Sequence, residues 1–237
     1  MIARERIGDV ERLILSRPDR RNALTPAMLA DLAGHIERAG DARALLLLGE
    51  GRVFCAGFDL DLCVGQQGEA NLRSLLTDLS RCVAAMRALP IPVVIGVQGA
   101  AIAGGCALLG GGDVVIAHPD AKLGYPVTRL GISPAVSAPF IAVAPGQARR
   151  LMLDPGLIDA RRAHRIGLVH ELHDEPAARA MEQAEHWCAK PAHALADTKH
   201  WLNELSPADA SQGLDTSLSL VGNDESHRLL AAALEKR

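Results

Sequence analysis

The sequence has few aromatic residues, no cluster of basic residues and no long apolar run. Aromatic side chains make up 3% of its 237 residues and include a single tyrosine, so platforms for stacking nucleobases are scarce. The formal net charge is −3 and the basic residues are scattered, whereas nucleic-acid-binding domains cluster theirs. No window of about eighteen apolar residues is present to span a bilayer. These absences argue against nucleic-acid and membrane-spanning functions.

Paired cysteines and metal-ligand clusters are also lacking. The five cysteines are odd in number and form no C-x-x-C pair, so reduced thiols are expected. The N-terminal residues are charged rather than signal-like, which favours a cytoplasmic protein. His170 and His173 are three residues apart but have no further ligands nearby, and zinc needs three or four. We therefore expect no metal site.

Apolar residues make up 49% of the chain, enough for a large core. Short apolar runs predict strands at 10–15, 44–48, 92–97 and 113–117, and helical spacing predicts helices at 26–38 and 71–88. Strands separated by helices indicate an α/β fold. The later part has few β-branched runs and predicts helices at 146–153, 159–165, 176–189, 193–204 and 224–236.

A glycine segment, residues 97–112 (VQGAAIAGGCALLGGG), lies between two of the predicted strands. Its order predicts a strand, a tight turn and a buried helix whose unpaired N–H groups could hold negative charge. It is not a nucleotide site, because G-x-G-x-x-G is absent and the 105–110 spacing lacks the Lys and Ser or Thr of a phosphate loop. The alternative interpretation is close packing of a helix on a strand.

A second glycine turn, the FCAG turn at residues 54–60 (FCAGFDL), favours the anion-binding interpretation over close packing alone. Two such turns could each direct one N–H at the same small anion, which is the geometry of an oxyanion hole.

Several motifs in order resemble the crotonase (enoyl-CoA hydratase/isomerase) superfamily. They are FCAGFDL, VQGAAIAGGCALLGGGDVVIAHPDAKLGYP, RLGISP and RRAHRIGLVHEL, and the resemblance covers roughly residues 10–172. It implies an α/β crotonase-like spiral of β-β-α units at 1–190 and a helical C-terminal trimerisation region at 191–237. It also implies a homotrimer or a dimer of trimers that acts on an acyl-CoA. Coenzyme A would then be part of the substrate, with no tightly bound cofactor.

By the same resemblance, the thioester oxygen would lie between the backbone N–H groups of Ala56 and Gly104. The CoA portion would contact Arg21, Ala56, Asp59 and Leu60. Loss of one such donor typically costs about 3 kcal/mol of transition-state stabilisation.

The hydratases of this family use two glutamates, and the aligned positions here hold Ala107 and Val127. Neither side chain can transfer a proton. Tyr125, in the same loop as Val127, is a candidate for acid–base work, although a phenol has a pKa near 10. Glu69 is a weaker candidate, and Cys106 is expected to pack rather than attack. Two hypotheses remain: an enzyme with another proton carrier or a substrate-assisted step, and a catalytically silent acyl-CoA-binding homologue.

Overall fold

A six-stranded sheet, in the order β1-β2-β3-β4-β6-β9, organises the fold in the computed structural model, which describes residues 1–137, 145–154, 156–205 and 210–235. The strand β1 is antiparallel to β2, and every other neighbouring pair is parallel. The strands of this sheet are β1 (Ile2–Ile7), β2 (Val10–Leu15), β3 (Ala44–Gly49), β4 (Val93–Val97), β6 (Val114–Ala117) and β9 (Glu171–Leu172). Burial on both faces explains why β3 and β4 are continuous apolar runs.

A second sheet of three short strands lies beside the first. Its order is β5-β7-β8, with β5 parallel to β7 and β7 antiparallel to β8. The strands are β5 (Ala100–Ile102), β7 (Lys122–Gly124) and β8 (Leu157–Asp159). The glycine segment therefore contains a strand before its helix, and three residues are too few for alternation to reveal it.

The described residues form nine α-helices, of which α1 and α2 pack on each other and cover the core. In chain order they are α1 (Pro26–Glu37), α2 (Gly68–Ala88), α3 (Gly104–Leu108), α4 (Pro145–Leu153), α5 (Ala160–Arg165), α6 (Pro176–Cys188), α7 (Ala192–Leu205), α8 (Ala210–Leu218) and α9 (Asp224–Glu235). The start of α1 follows from its sequence: the Thr25 hydroxyl accepts the Met28 N–H, and Pro26 occupies the first helical position. None of the helices in these described ranges is both long and apolar enough to cross a membrane.

Most of the predicted elements are present, and the differences have simple causes. Helix α2 begins at Gly68 rather than at 71, because a residue without a side chain can approach the Cys63 carbonyl closely there. The strand β1 was missed because it is a charged, largely exposed edge. Helix α8 was missed because its sequence is mostly polar. The predicted 224–236 helix ends at Glu235 in the structure, and residue 236 lies outside the described residues.

A buried lysine attaches the C-terminal helices to the sheet core. The Lys199 ammonium on α7 donates to Asp113 Oδ2 at 2.7 Å and to the carbonyl oxygens of Met86 and Ile91, both at 3.0 Å. Burial lowers the pKa of Lys199, and the Asp113 carboxylate opposes that shift. Helix α7 therefore packs on the core of its own chain. The division into domains at 190/191 stays a prediction.

Candidate functional site

An apolar cavity of about 220 Å³ opens where the FCAG turn, the glycine segment and α2 meet. Backbone and side chains of Ala56, Phe58 and Gly104 line one part of it. The rest of the described lining is almost entirely aliphatic or proline: Leu60, Leu76, Leu79, Ile102, Ala103, Ala107, Pro126, Val127, Leu130, Ile132, Pro134 and Val136. The two polar side chains on this lining are Tyr125 and Ser133.

The two glycine turns approach each other too closely for larger residues. A methyl group on Gly105 would lie 2.6 Å from the Cys55 Cβ atom and 2.7 Å from its carbonyl oxygen. One on Gly104 would lie 3.0 Å from the Phe58 ring. Real Cβ atoms essentially never approach within 3.0 Å, so a larger residue at Gly105 would force the turns apart, whereas at Gly104 the Phe58 ring would have to move by only a few tenths of an ångström. The glycines thus bring the two backbones to the same cavity.

The N–H of Ala56, expected from the sequence to be a thioester donor, already has a partner. It donates to the carbonyl oxygen of Arg21 at 3.0 Å. A donor held by another backbone carbonyl is not available to a substrate without breaking that bond. The structure therefore corrects the expectation for Ala56, although the residue does line the cavity.

Two residues further along, Phe58 has a backbone N–H that is not occupied by another carbonyl of the described residues. The flanking groups both bond to Leu24: its N–H donates to the Gly57 carbonyl at 2.8 Å, and its carbonyl accepts the Asp59 N–H at 2.9 Å. In this parallel bridge the Phe58 N–H points the other way. It has no partner among the residues that the structure describes. The sequence signal was present, because Phe58 belongs to the same turn, but only the bonding pattern distinguishes it from Ala56.

Gly104 is placed as the sequence predicted, at the start of α3 and on the cavity. The preceding Ala103 has φ of 50° and ψ of −113°, a conformation that L residues rarely adopt and that typically costs about 1–3 kcal/mol. It is held there by its N–H, which donates to the Gly124 carbonyl at 2.8 Å. Within the described ranges, the Gly104 N–H has no bonding partner.

Ala107 and Val127, the positions aligned with the family's glutamates, both line the cavity. Over the part of the lining that the structure describes, no Asp, Glu, His or Lys side chain takes their place. The site therefore combines two backbone N–H groups that have no partner in the described residues with an apolar wall.

Tyr125 and Cys106 form a buried pair at this wall. The tyrosine side chain is 1% exposed. Burial raises the pKa of Cys106 to about 12, and hydrogen bonds from Tyr125 and from the Gly124 backbone act against that shift. The thiol is therefore neutral at physiological pH and not a nucleophile. The Tyr125 side chain is buried beside this thiol and lines the cavity, so it contributes to the cavity wall.

Two grooves outside the cavity contain basic residues, and the first of them adjoins the cavity. This first groove, about 610 Å³, shares Ala56, Phe58 and Ile102 with the cavity, and Leu234 from α9 also lines it. The second, about 600 Å³, shares Arg21 with the first and adds Arg52. We call this series of neighbouring spaces the path; its grooves carry charged side chains, and the described cavity lining carries none.

Asp59 organises the basic end of this path. Its carboxylate is 4% exposed and pairs with Arg17 at 2.7 Å and Arg20 at 3.3 Å, and Arg20 also pairs with Asp61. Burial alone would raise the pKa of Asp59, but the hydrogen bonds and charges of Arg17 and Arg20 outweigh burial and hold the pKa below its usual range. Asp59 therefore fixes the basic turn.

Arg21 and Arg52 remain available for a ligand, because no ion pair is formed by either of them in the described part of the chain. Both are exposed. The contact of Arg21 with CoA stays a prediction, and Arg52, which is isolated in the sequence, was not expected. Leu60, the other predicted contact, lies on the apolar cavity.

The C-terminal helices support the far wall of the cavity, a role that the sequence did not indicate. On α8, the buried Ser217 hydroxyl accepts the Val136 N–H at 2.9 Å and donates to the Ser133 carbonyl at 3.2 Å. Glu69 pairs with His227 of α9 at 3.3 Å and does not line the cavity.

The fold and this cavity define a class of α/β protein in which two glycine turns direct backbone donors at an apolar pocket. The family model for enoyl-CoA hydratase/isomerase matches residues 6–229. The chain belongs to this family, the crotonase superfamily, and has its fold.

Named relatives carry different activities. A 1,2-epoxyphenylacetyl-CoA isomerase of Escherichia coli is 33% identical, over 88% of this chain and 82% of that protein. A (7aS)-7a-methyl-1,5-dioxo-2,3,5,6,7,7a-hexahydro-1H-indene-carboxyl-CoA hydrolase of Mycobacterium tuberculosis is 32% identical, over 87% of this chain and 88% of that protein. The crystal structure of an enoyl-CoA hydratase/isomerase from Mycobacterium paratuberculosis matches with a TM-score of 0.88 and 27% identity, covering 98% and 97% of the two chains. Family membership alone therefore does not determine the reaction.

Replacing the Asp59 carboxylate should destabilise the basic turn. We expect Asp59→Asn to lower the free energy of unfolding by about 1–3 kcal/mol at neutral pH, because Arg17 loses its buried charged partner. The folded pKa is depressed, so this stabilisation is present above the unfolded pKa of about 3.9 and is lost as the pH falls through the folded value. Denaturant unfolding from pH 7 to pH 2 should show wild type and variant converging at the acid end. The exposed control Asp19→Asn should change stability by less than about 0.5 kcal/mol, and a gap for Asp59→Asn that persists at pH 2 would contradict the ion-pair assignment.

Proposed function

We propose that this protein is an acyl-CoA thioester enzyme that stabilises a thioester enolate in a backbone oxyanion hole without the family's glutamate pair. The observation that carries the proposal is the pair of unbonded donors, the N–H groups of Phe58 and Gly104, on one apolar cavity. Backbone donors already in position when charge develops are among the strongest contributions to catalysis. Gly104 keeps the role expected from the sequence, and Phe58 takes the role expected of Ala56.

The path beside the cavity supports CoA as the carrier of the acyl group. Arg21 and Arg52 are exposed cations that could bind phosphates, and the groove next to the cavity is lined by both Arg21 and Phe58. Coenzyme A would enter as part of the substrate, and no tightly bound cofactor or metal is proposed.

The second candidate function is a catalytically silent acyl-CoA-binding protein. The presence of Ala107 and Val127 on the cavity favours it, because a binding protein needs no proton carrier. Under the first function, the proton would be moved by the substrate itself, by water or by Tyr125. Of these, Tyr125 is the least suited, because its hydroxyl is engaged with Cys106.

The apolar residues exposed on the C-terminal helices fit the expected homotrimer or dimer of trimers. Trp201, Leu202 and Leu205 are 55%, 52% and 62% exposed on α7. Exposed apolar surface of this kind is typical of subunit contacts. Light scattering should give a mass about three times or six times the chain mass of 25.1 kDa, and a monomer at micromolar concentration would contradict this part of the proposal. The free thiols fit a cytoplasmic location.

Removing the Gly104 donor separates the two candidate functions. Gly104→Pro deletes the N–H, whereas Gly104→Ala keeps it and adds a similar carbon next to Phe58. We expect kcat/KM of the proline variant to be about 10²–10³-fold below that of the alanine variant. The substrates are a panel of enoyl-, malonyl- and hydroxyacyl-CoA thioesters, assayed for turnover beside calorimetric binding to the wild type.

The outcomes of that comparison differ clearly. Equal turnover by correctly folded proline and alanine variants would reject the Gly104 donor. Binding of thioesters without turnover of any of them would reject the enzyme and leave the silent binding protein. Absence of CoA affinity would reject both candidates.

Restoring the two carboxylates should create hydratase activity. Because both positions line the cavity, Ala107→Glu combined with Val127→Glu should hydrate crotonyl-CoA at least about 100-fold faster than a control with Gln at both positions. The control has nearly the same size but cannot transfer a proton. Circular dichroism and thermal melting establish that each variant is folded. Equal rates in two folded variants would count against the alignment of these positions with the family's glutamates.

A further inference from the structure

Charge is separated along the path from the grooves to the cavity. The grooves are lined by charged side chains of both signs, namely Asp19, Arg20, Arg21, Arg52, Asp59 and Asp61. Of these, Arg21 and Arg52 form no ion pair within the described residues. The cavity lining that the structure describes has no charged side chain at all. Charged groups of a ligand therefore have partners in the grooves but none in the described part of the cavity.

Both polar side chains on the cavity already have partners. The Tyr125 side chain interacts with the Cys106 thiol and lowers its pKa, and the Ser133 hydroxyl accepts the Ala135 N–H at 3.2 Å. Neither provides a positive charge that could neutralise an anion. The donors of Phe58 and Gly104 lie at the glycine turns, where the thioester oxygen is expected, and cannot serve a second anionic group at the same time.

The cavity wall favours alkyl groups over carboxylates. The space left by the absent glutamates is bounded by the methyl groups of Ala107 and Val127. Burying a carboxylate without a partner is strongly unfavourable, whereas burying an alkyl group of the same shape is favourable.

We propose that the cavity selects CoA thioesters with an uncharged, apolar acyl group and rejects those whose acyl chain ends in a carboxylate. This inference rests on the proposed acyl-CoA function and specifies its substrate class. It also distinguishes among the reactions that the family could perform here, because substrates such as malonyl-CoA or other dicarboxylic thioesters are excluded at the binding step.

The test compares two ligands of nearly the same shape on the unmodified protein. Adipoyl-CoA ends in a carboxylate, and 6-methylheptanoyl-CoA ends in an isopropyl group of similar size at the same chain position. Calorimetry at pH 7.5 gives the dissociation constant of each, with free CoA as the reference. We expect 6-methylheptanoyl-CoA to bind more tightly than CoA, and adipoyl-CoA to bind at least about 100-fold more weakly than 6-methylheptanoyl-CoA.

Each other outcome has a defined meaning. Equal affinities for the two thioesters would overturn the selection by charge while leaving the acyl-CoA function intact. Affinity for CoA without any gain from the branched acyl chain would overturn the cavity as the acyl site. Failure of CoA and both thioesters to bind would overturn the proposed function itself, and this inference with it.

A charge introduced into the lining provides an independent test. Val127→Lys supplies a cation on the cavity wall, and Val127→Gln supplies a polar side chain without charge. We expect the lysine variant to improve the affinity for adipoyl-CoA relative to 6-methylheptanoyl-CoA at least about 10-fold over the glutamine variant. The ratio within each variant cancels any general loss of packing. An unchanged ratio in two folded variants would contradict the proposal.

Discussion

The close contact between the FCAG turn and the glycine segment is the constraint on which the rest of the site depends. Gly105 lies against Cys55 so tightly that a single added methyl group would meet its carbonyl oxygen at 2.7 Å. This contact brings the Gly104 and Phe58 donors to one cavity, although 46 residues of sequence separate them. Hydrogen bonds from one buried side chain hold the FCAG turn in this position. The fully buried Asn22 amide donates to the carbonyl oxygens of Glu50, Val53 and Phe54.

The sequence predicted the parts of this molecule that have strong local signals. Helix α1 has a capping threonine and a proline at its start, and β3 and β4 are uninterrupted apolar runs. The position of Gly104 at the start of a buried helix also followed from its motif. The Ala56 assignment was wrong in a way that local sequence could not reveal, because the choice of donor depends on which carbonyl lies opposite, and that carbonyl belongs to Arg21. Arg52 and Ser217 were missed for a related reason, since single residues acquire their roles only from distant partners.

This chain differs from the hydratases of its family at the two glutamate positions, which here hold Ala107 and Val127. The apparatus that holds a thioester oxygen is built from backbone, so it tolerates changes of side chain on every side. The family's proton carriers are glutamate side chains, and a single substitution removes each of them. Under the proposed function, Ala107 and Val127 therefore alter the proton transfers that accompany the enolate and leave enolate stabilisation in place. A cavity without these carboxylates is also more apolar, so the same two substitutions that remove acid–base groups favour hydrocarbon as the occupant.

Ser217 connects two parts of the protein that otherwise look independent. Its hydroxyl bonds to both sides of the 133–136 segment, which lines the cavity, while the helix that carries it belongs to the C-terminal region. A displacement of α8 moves the cavity wall, and a ligand that shifts the wall acts on α8 through the same two bonds. Thermodynamic reciprocity requires the two effects to be equal in free energy. Filling of the cavity and the arrangement of the C-terminal helices are thus linked equilibria, and each reports on the other.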